Sequence, residues 1–548
     1  MRVLLAVAAI LLAPTTLLSD QPFYDRVHPS RIFNGPRHYR IFLPRGYESS
    51  AKAYPVIYYF HGHSDRYTLE RYDNGADTVP KIADFVATHD VIVVAPDGYV
   101  ARSYSAFYGG SPWDIQQRDV EYDFGEYFRE LVAHIDGSYR TLTDRRHRAT
   151  SGLSMGGYMS LWLSARYPDL IGSASSFNPG PEFFAGDRDH RVLWRPKDHV
   201  ANHEQVMIRL VRASGDYISQ YTEETRMAYA RAPKVSFEYR QDEYHRHWAT
   251  SVAETFDFHM RAFATASLDN VPVEWSHDDP YAHFRVWNYD VESTGPGPGI
   301  TYLGDVTQNG FRLTTRKWAP DGPPSSREIT VTTPSRYEPG ATYTIVDRGL
   351  SNNELRRHTI NADAEGRLTV ATDGSGHEIS IIGPGATERL PVLLPVTNSD
   401  VLRVSPGVRV NLPIRVYNPG LKAITKLTVS VRSDYATVQL PAEAARVPLL
   451  GPGETVDLSD RLAATFVAGA GYYAPARIEV TLACEGRAQQ LRDIDVLIEP
   501  SVIPPPLAVE ILDGRTVTLS VFRQKGNQGG GGSVQRTVTE GRGNGNGV

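Results

Sequence analysis

Arg148-Ala149-Thr150-Ser151-Gly152-Leu153-Ser154-Met155-Gly156-Gly157-Tyr158 is the stretch that decides the fold of the N-terminal half. It reads as a short strand, then G-x-S-x-G, then a run of helical length carrying Met159, Leu161, Trp162 and Leu163. A strand that turns sharply into a helix forces the residue at the turn into strained backbone geometry. Gly152 and Gly156 stand two residues either side of Ser154, where a side chain would collide with the neighbouring strand and helix. Ser154 is thereby placed at the carboxyl end of a sheet, near the positive end of the following helix. Its hydroxyl becomes a useful nucleophile only when a neighbouring base takes its proton.

Outward from this elbow, strands alternate with helices. Tyr39–Leu43, Pro55–Phe60, Asp90–Ala95, Val206–Val211 and Val235–Tyr239 are candidate strands, and Pro55–Phe60 is apolar throughout, as a strand buried on both faces would be. Phe128, Leu131, Val132 and Ile135 have helical spacing within Glu126–Ile135, and a last helical pattern runs from Ala249 to Ala264. This alternation predicts a parallel sheet covered on both faces, an α/β unit over residues 20–269. Past Asn270 the texture changes to dense proline and glycine with short β-type runs such as Tyr343–Val346 and Lys426–Val431. Two small β-sandwich-like domains are expected, a β-rich one over 270–385 and an immunoglobulin-like one over 386–500. A Gly-rich tail over 501–548, with Gly529–Gly532, is expected to be mobile. Its Gly-Asn end resembles the opening of a further secreted β module, so the chain is read as part of a longer one.

A length of 548 residues is consistent with this division into about three domains. Hydrophobic content of 41% and a net charge of −6 suit soluble globular domains and give no reason to expect nucleic acid or an anionic membrane as partner. Met1-Arg2 followed by apolar Val3–Ala13 reads as a secretory signal peptide over 1–19, too short to span a bilayer, so secretion or a periplasmic location is expected. The single cysteine, Cys484, excludes an intrachain disulfide and is read as a buried structural thiol.

Several motifs together resemble the esterase D/feruloyl esterase branch of the α/β-hydrolases. They are Pro55-Val56-Ile57-Tyr58-Tyr59-Phe60-His61-Gly62, Ala95-Pro96-Asp97-Gly98, Gly152-Leu153-Ser154-Met155-Gly156-Gly157, and a late histidine before Trp248, in family order across Pro22–Phe263. The resemblance implies a serine carboxylic-ester hydrolase with Ser154 as nucleophile, acting without a cofactor on a small-molecule or polysaccharide ester of acetyl or feruloyl type. This sequence departs from the family in two places. His245 and His247 lie three and one residues before Trp248, with none at the usual two, and Gly62-His63 replaces a Gly-Gly pair.

The chain order Ser…Asp…His requires an acid between Ser154 and the histidines. Asp216, just past an apolar strand, is the candidate. Asp169, Asp187, Asp189 and Asp242 lie in less strand-like surroundings and are read as solvated or capping carboxylates. His245 and His247 are both candidate bases, with His245 slightly favoured because it lies nearer the end of the preceding strand. The backbone N–H groups of Met155 and His63 are the expected oxyanion donors. Tyr108 and Trp113, in an aromatic loop with Tyr104 and Phe107, are equally core padding or a substrate-binding wall. His61-Gly62-His63-Ser64-Asp65 opens like a binuclear metal motif, but Arg66 stands where another histidine is needed, and no metal is expected. Two other functions fit the same residues: an acyltransferase that passes the acyl group to a sugar hydroxyl, and an inactive carbohydrate-binding or structural protein.

Overall fold

The computed structural model describes residues 22–63, 65–70, 77–98, 123–187, 190–230, 232, 234–243, 248–297, 299–319, 322–386, 392–394, 401–467, 474–484, 487–498, 509–512, 516–521 and 534–539. The expected signal peptide, Tyr108, Trp113, Asp189, His245 and His247 lie outside them.

An eight-stranded sheet organises the N-terminal half. In chain order its strands are β1 (Tyr24–Ser30), β2 (Gly35–Phe42), β3 (Val56–Phe60), β4 (Ile92–Pro96), β5 (Arg148–Gly152), β6 (Ser173–Phe177), β9 (Met207–Ala213) and β10 (Phe237–Asp242), with β7 (Phe183–Ala185) and β8 (Val192–Trp194) forming a separate hairpin. The spatial order is β1-β2-β4-β3-β5-β6-β9-β10. β1, β2 and β4 pair antiparallel, and every pairing from β4 through β3, β5, β6 and β9 to β10 is parallel.

Two-residue alternation assigns the faces. Val56, Tyr58 and Phe60 of β3 join the core beneath α2 (Phe124–Ser138) and α3 (Met155–Arg166), while Ile57 and Tyr59 join the core beneath α1 (Thr78–Thr88) and α5 (Val252–Phe263). α4 (Ser219–Ala230) packs Tyr229 into a third cluster with Leu161 and Ile208. A mixed sheet with helices on both faces and this strand order is the α/β-hydrolase fold. Asp123 caps α2, accepting from the Gly125 and Glu126 N–H groups, and the Arg166 guanidinium at the end of α3 grips the same carboxylate at 2.6 and 2.8 Å. Burial works against that charge, but Arg166 outweighs it and holds the Asp123 carboxyl below its ordinary pKa.

Among the described residues, the C-terminal half is antiparallel β structure with one parallel pair. A six-stranded and a four-stranded sheet enclose one core containing Trp275, Tyr289, Leu303, Phe311 and Ile345. A five-stranded sheet, whose outer pair Val401–Val404 and Arg487–Ile498 is parallel, and two three-stranded sheets enclose a second core that includes Cys484. Both are sandwich arrangements, as composition suggested. Within 501–548, Val509–Leu512, Thr516–Val521 and Val534–Thr539 pair as an antiparallel sheet, and Gly529–Gly532 lies outside the described residues.

The first sandwich docks on the α/β unit through buried polar contacts. His199 Nδ1 meets Asp278 Oδ1 at 2.5 Å, Asn202 bonds the Asp278 backbone twice, and Arg166 lies 3.7 Å over the Tyr281 ring. Among the described residues, no helix is long and apolar enough to cross a membrane.

Candidate active site

Ser154 stands between β5 and α3 with φ 59° and ψ −118°, a conformation that costs a non-glycine residue about 1–3 kcal/mol. Its surroundings hold it there. The Ser154 N–H donates to the Phe177 carbonyl at 2.9 Å, and its own carbonyl accepts from the Tyr158 and Gly180 N–H groups, both at 2.9 Å. The flanking glycines are needed because backbone occupies the space of any side chain. A Cβ at Gly152 would sit 2.4 Å from the Gly156 carbonyl oxygen, and one at Gly156 would sit 2.0 Å from the Phe60 oxygen and 2.6 Å from the His61 oxygen. The loop leaving β3 therefore lies directly against the first turn of α3.

That loop carries His63, and the first turn of α3 begins with buried Met155. Burial, reinforced by the nearby His61, lowers the pKa of the half-buried His63 imidazole. His61 is fully buried. Its Nδ1–H donates to the Gly62 carbonyl at 3.0 Å, and its Nε2 accepts from the Gly98 N–H at 2.8 Å. The partners fix this tautomer, since a carbonyl only accepts and an amide N–H only donates. Neither ring nitrogen of His61 keeps a lone pair for a metal. Asp97, 3.6 Å from His61, takes the Arg66 fork. Burial alone would raise the Asp97 carboxyl, but the Arg66 guanidinium holds it far below the usual carboxylate range. Among the described residues, His283, Asp290 and Glu292 bring ligand atoms within 4.8 Å of one another on a partly exposed hairpin, where His283 already pairs with Asp290 at 3.2 Å.

Asp216 lies three residues beyond β9, only 5% exposed, and its Oδ1 accepts from the Ile218 N–H at 3.3 Å. The other carboxylates have their own partners. Asp169 accepts from the Trp287 N–H and Asp187 from the Ala282 N–H, both in the first sandwich. Asp242 corrects the sequence-based expectation: it is the last residue of β10, bonded to the Ser251 hydroxyl and the Arg240 guanidinium. The apolar alternation of the sequence ends at Tyr239, whereas the parallel ladder runs on to pair Asp242 with Ala213 of β9.

Asn178 escaped the sequence reading. It is the first residue past β6, 1% exposed, with φ 44°. Its Oδ1 accepts from the Ala213 N–H at 2.7 Å and its Nδ2 donates to the Trp248 carbonyl at 3.1 Å. The available signal was Asn178-Pro179-Gly180, a turn sequence, but β6 itself (Ser-Ala-Ser-Ser-Phe) carries no apolar run to announce it. Ser154 and Asp216 thus occupy carboxyl ends of parallel strands β5 and β9, separated only by β6, whose terminal residues bond to both segments.

Residues 30–262 match the family model described as Putative esterase. Esterase Rv1288 of Mycobacterium tuberculosis strain H37Rv is 31% identical over 176 residues, which are 31% of this chain and 35% of that protein, so the match spans about a third of the relative. Among solved structures, a ferulic acid esterase from the anaerobic fungus Anaeromyces mucronatus is 21% identical with TM-score 0.35, covering 45% of this chain and 91% of that one. An S-formylglutathione hydrolase from Staphylococcus aureus is 15% identical with TM-score 0.31, covering 45% of this chain and 98% of that one.

Proposed function

We propose, from the premise that residues 30–262 match the putative esterase family, that this chain is a serine carboxylic-ester hydrolase working through an acyl-serine. The observation that carries the reading is the backbone of Ser154, strained at φ 59° between two glycines whose missing side chains make room for the elbow. A fold does not maintain such a conformation by local preference, and strain of this kind clusters where a side chain must be presented for chemistry.

In the mechanism, His245 or His247 takes the Ser154 proton as Oγ attacks the ester carbonyl. Asp216 fixes the tautomer of that histidine and stabilises its charged form. The Met155 and His63 N–H groups receive the developing oxyanion, and the contact of Gly156 with the β3 loop supports bringing those two backbones together. The histidine returns its proton to the leaving alcohol, and water, activated by the same histidine, releases the acid. The substrate is an acetyl- or feruloyl-type ester linked to carbohydrate, with Tyr108 and Trp113 against it, and the enzyme works outside the cytoplasm after removal of residues 1–19. The resemblance of the motifs supports this choice of substrate, and the basic and apolar start supports export.

The test pairs Ser154→Ala with hydrolysis of p-nitrophenyl acetate and methyl ferulate and with fluorophosphonate labelling. The variant should fold, lose labelling and lose at least about a thousandfold in rate. Retention of more than about a tenth of the wild-type rate rules Ser154 out as the nucleophile.

A further inference from the structure

Four hydrogen bonds leave two consecutive residues, Phe177 and Asn178, and reach Ser154, the end of β9 that leads to Asp216, and Trp248, which follows His247 in sequence. The Phe177 carbonyl holds the Ser154 N–H at 2.9 Å, and the Asn178 N–H donates to Val211 of β9 at 2.9 Å. The Asn178 side chain holds the Ala213 N–H at 2.7 Å and the Trp248 carbonyl at 3.1 Å. Ala213 is three residues before Asp216, and Trp248 directly follows His247 in sequence. We propose that Asn178 is a positioning residue that fixes the spacing of the nucleophile, acid and histidine segments. This rests on the serine-hydrolase reading above.

The geometry explains why the residue is asparagine. The paired register of β6 with β9 ends at Phe177↔Val211, yet β9 runs on to Ala213. β6 must turn away at this point, and the next ladder bond has no β6 carbonyl to accept it. The side-chain carbonyl of Asn178 takes that place, keeping the acid-bearing strand in register after the backbone has left the sheet. The left-handed backbone at φ 44° is tolerated by asparagine better than by almost any other non-glycine residue. The amide offers an acceptor to Ala213 and a donor to Trp248 from one planar group, and these two partners fix which end of the amide faces which segment. A hydroxyl is too short to span both, and a carboxylate would oppose the Trp248 carbonyl with a second acceptor.

Loss of these bonds should act on rate rather than on binding. Displacing catalytic groups by about 1 Å costs on the order of a hundredfold. In the 548-residue chain, Asn178→Gly keeps the left-handed backbone and removes both side-chain bonds, whereas Asn178→Asp keeps the Ala213 bond alone. With p-nitrophenyl acetate, kcat should fall roughly 10- to 100-fold in Asn178→Gly while KM changes by less than about threefold, and the acid limb of kcat/KM should move by about half a pH unit or more. Asn178→Asp should fall between this variant and wild type. A merely structural role would lower Tm and leave the kcat and pH profile of the folded fraction as in wild type, and that result overturns the proposal. If Asn178→Gly does not fold, a folded Asn178→Asp with wild-type kcat and pH profile overturns it equally. Ser154→Ala is assayed alongside. Hydrolysis that survives it overturns the serine reading and this role together, whereas a dead Ser154→Ala beside an unaltered Asn178→Gly overturns the positioning role alone.

Discussion

Gly156→Ala measures how tightly the elbow is built. The added Cβ would lie 2.0 Å from the Phe60 oxygen and 2.6 Å from the His61 oxygen. A carbon approaches a carbonyl oxygen no closer than about 3.3 Å at ordinary contact, so roughly 1.3 Å of movement is required. Phe60 cannot supply it, because it is paired with Gly152 in the interior of the parallel sheet. The first turn of α3 must shift instead, and it carries Met155 directly after Ser154. Backbone is the obstacle, so the cost belongs at the upper end for overpacking, about 3 kcal/mol, which lowers Tm by roughly 6–12 °C in a module of this size. A displacement of that length at the nucleophile and its oxyanion donor removes about a hundredfold in rate. Gly137→Ala is the control. Gly137 lies in α2, and its added Cβ would meet nothing within 4 Å. Better helix propensity should raise stability by about 0.5–1 kcal/mol, with the rate unchanged. Thermal unfolding followed by near-ultraviolet circular dichroism gives the first quantity, and initial rates with p-nitrophenyl acetate give the second. If Gly156→Ala melts within about 2 °C of wild type and keeps about half its rate, the close approach of β3 to α3 does not constrain the elbow, and the argument from the glycines fails.

Replacing the histidines one at a time separates them: His245→Ala should lower the rate by about a thousandfold or more and His247→Ala by about tenfold or less, and the reverse ranking makes His247 the base. Burial pushes the His259 imidazole down to about 3, with the Arg209 and Arg261 charges adding to it, so only the unfolded chain takes up this proton below about pH 6.5, and folded stability falls as pH drops from there towards the folded value. The loss from this group comes to roughly 2 kcal/mol between pH 6.5 and 4.5, so His259→Gln should be less stable at pH 7 yet show a shallower acid decline in Tm, and an equally steep decline would refute the assignment.

The sequence determined by itself those features whose cause is local. The elbow was legible because strand, glycine, serine, glycine and helix follow one another within eleven residues, and the constraint on Ser154 is backbone sterics at that point. β3, β4 and β9 were legible as apolar runs, and the change to β-sandwich texture after Asn270 as a change of composition. Tertiary structure alone decided β6. Ser173, Ser175 and Ser176 are buried in a central strand that no hydrophobic pattern announces. The Ser173 and Ser175 hydroxyls are tolerable inside because His259 of α5 bonds Ser173 through Nδ1 and Ser175 through Nε2, both at 2.8 Å, and Ser175 also donates to Ser151. Asn178 was hidden for the same reason, since its partners come from β9 and from the segment before α5, distant in sequence. Apolar burial leaves a periodic trace along one stretch of chain because each such residue gains from any apolar neighbour. A buried polar group is tolerated only when one particular partner arrives at hydrogen-bond distance, and folding brings that partner from elsewhere in the chain.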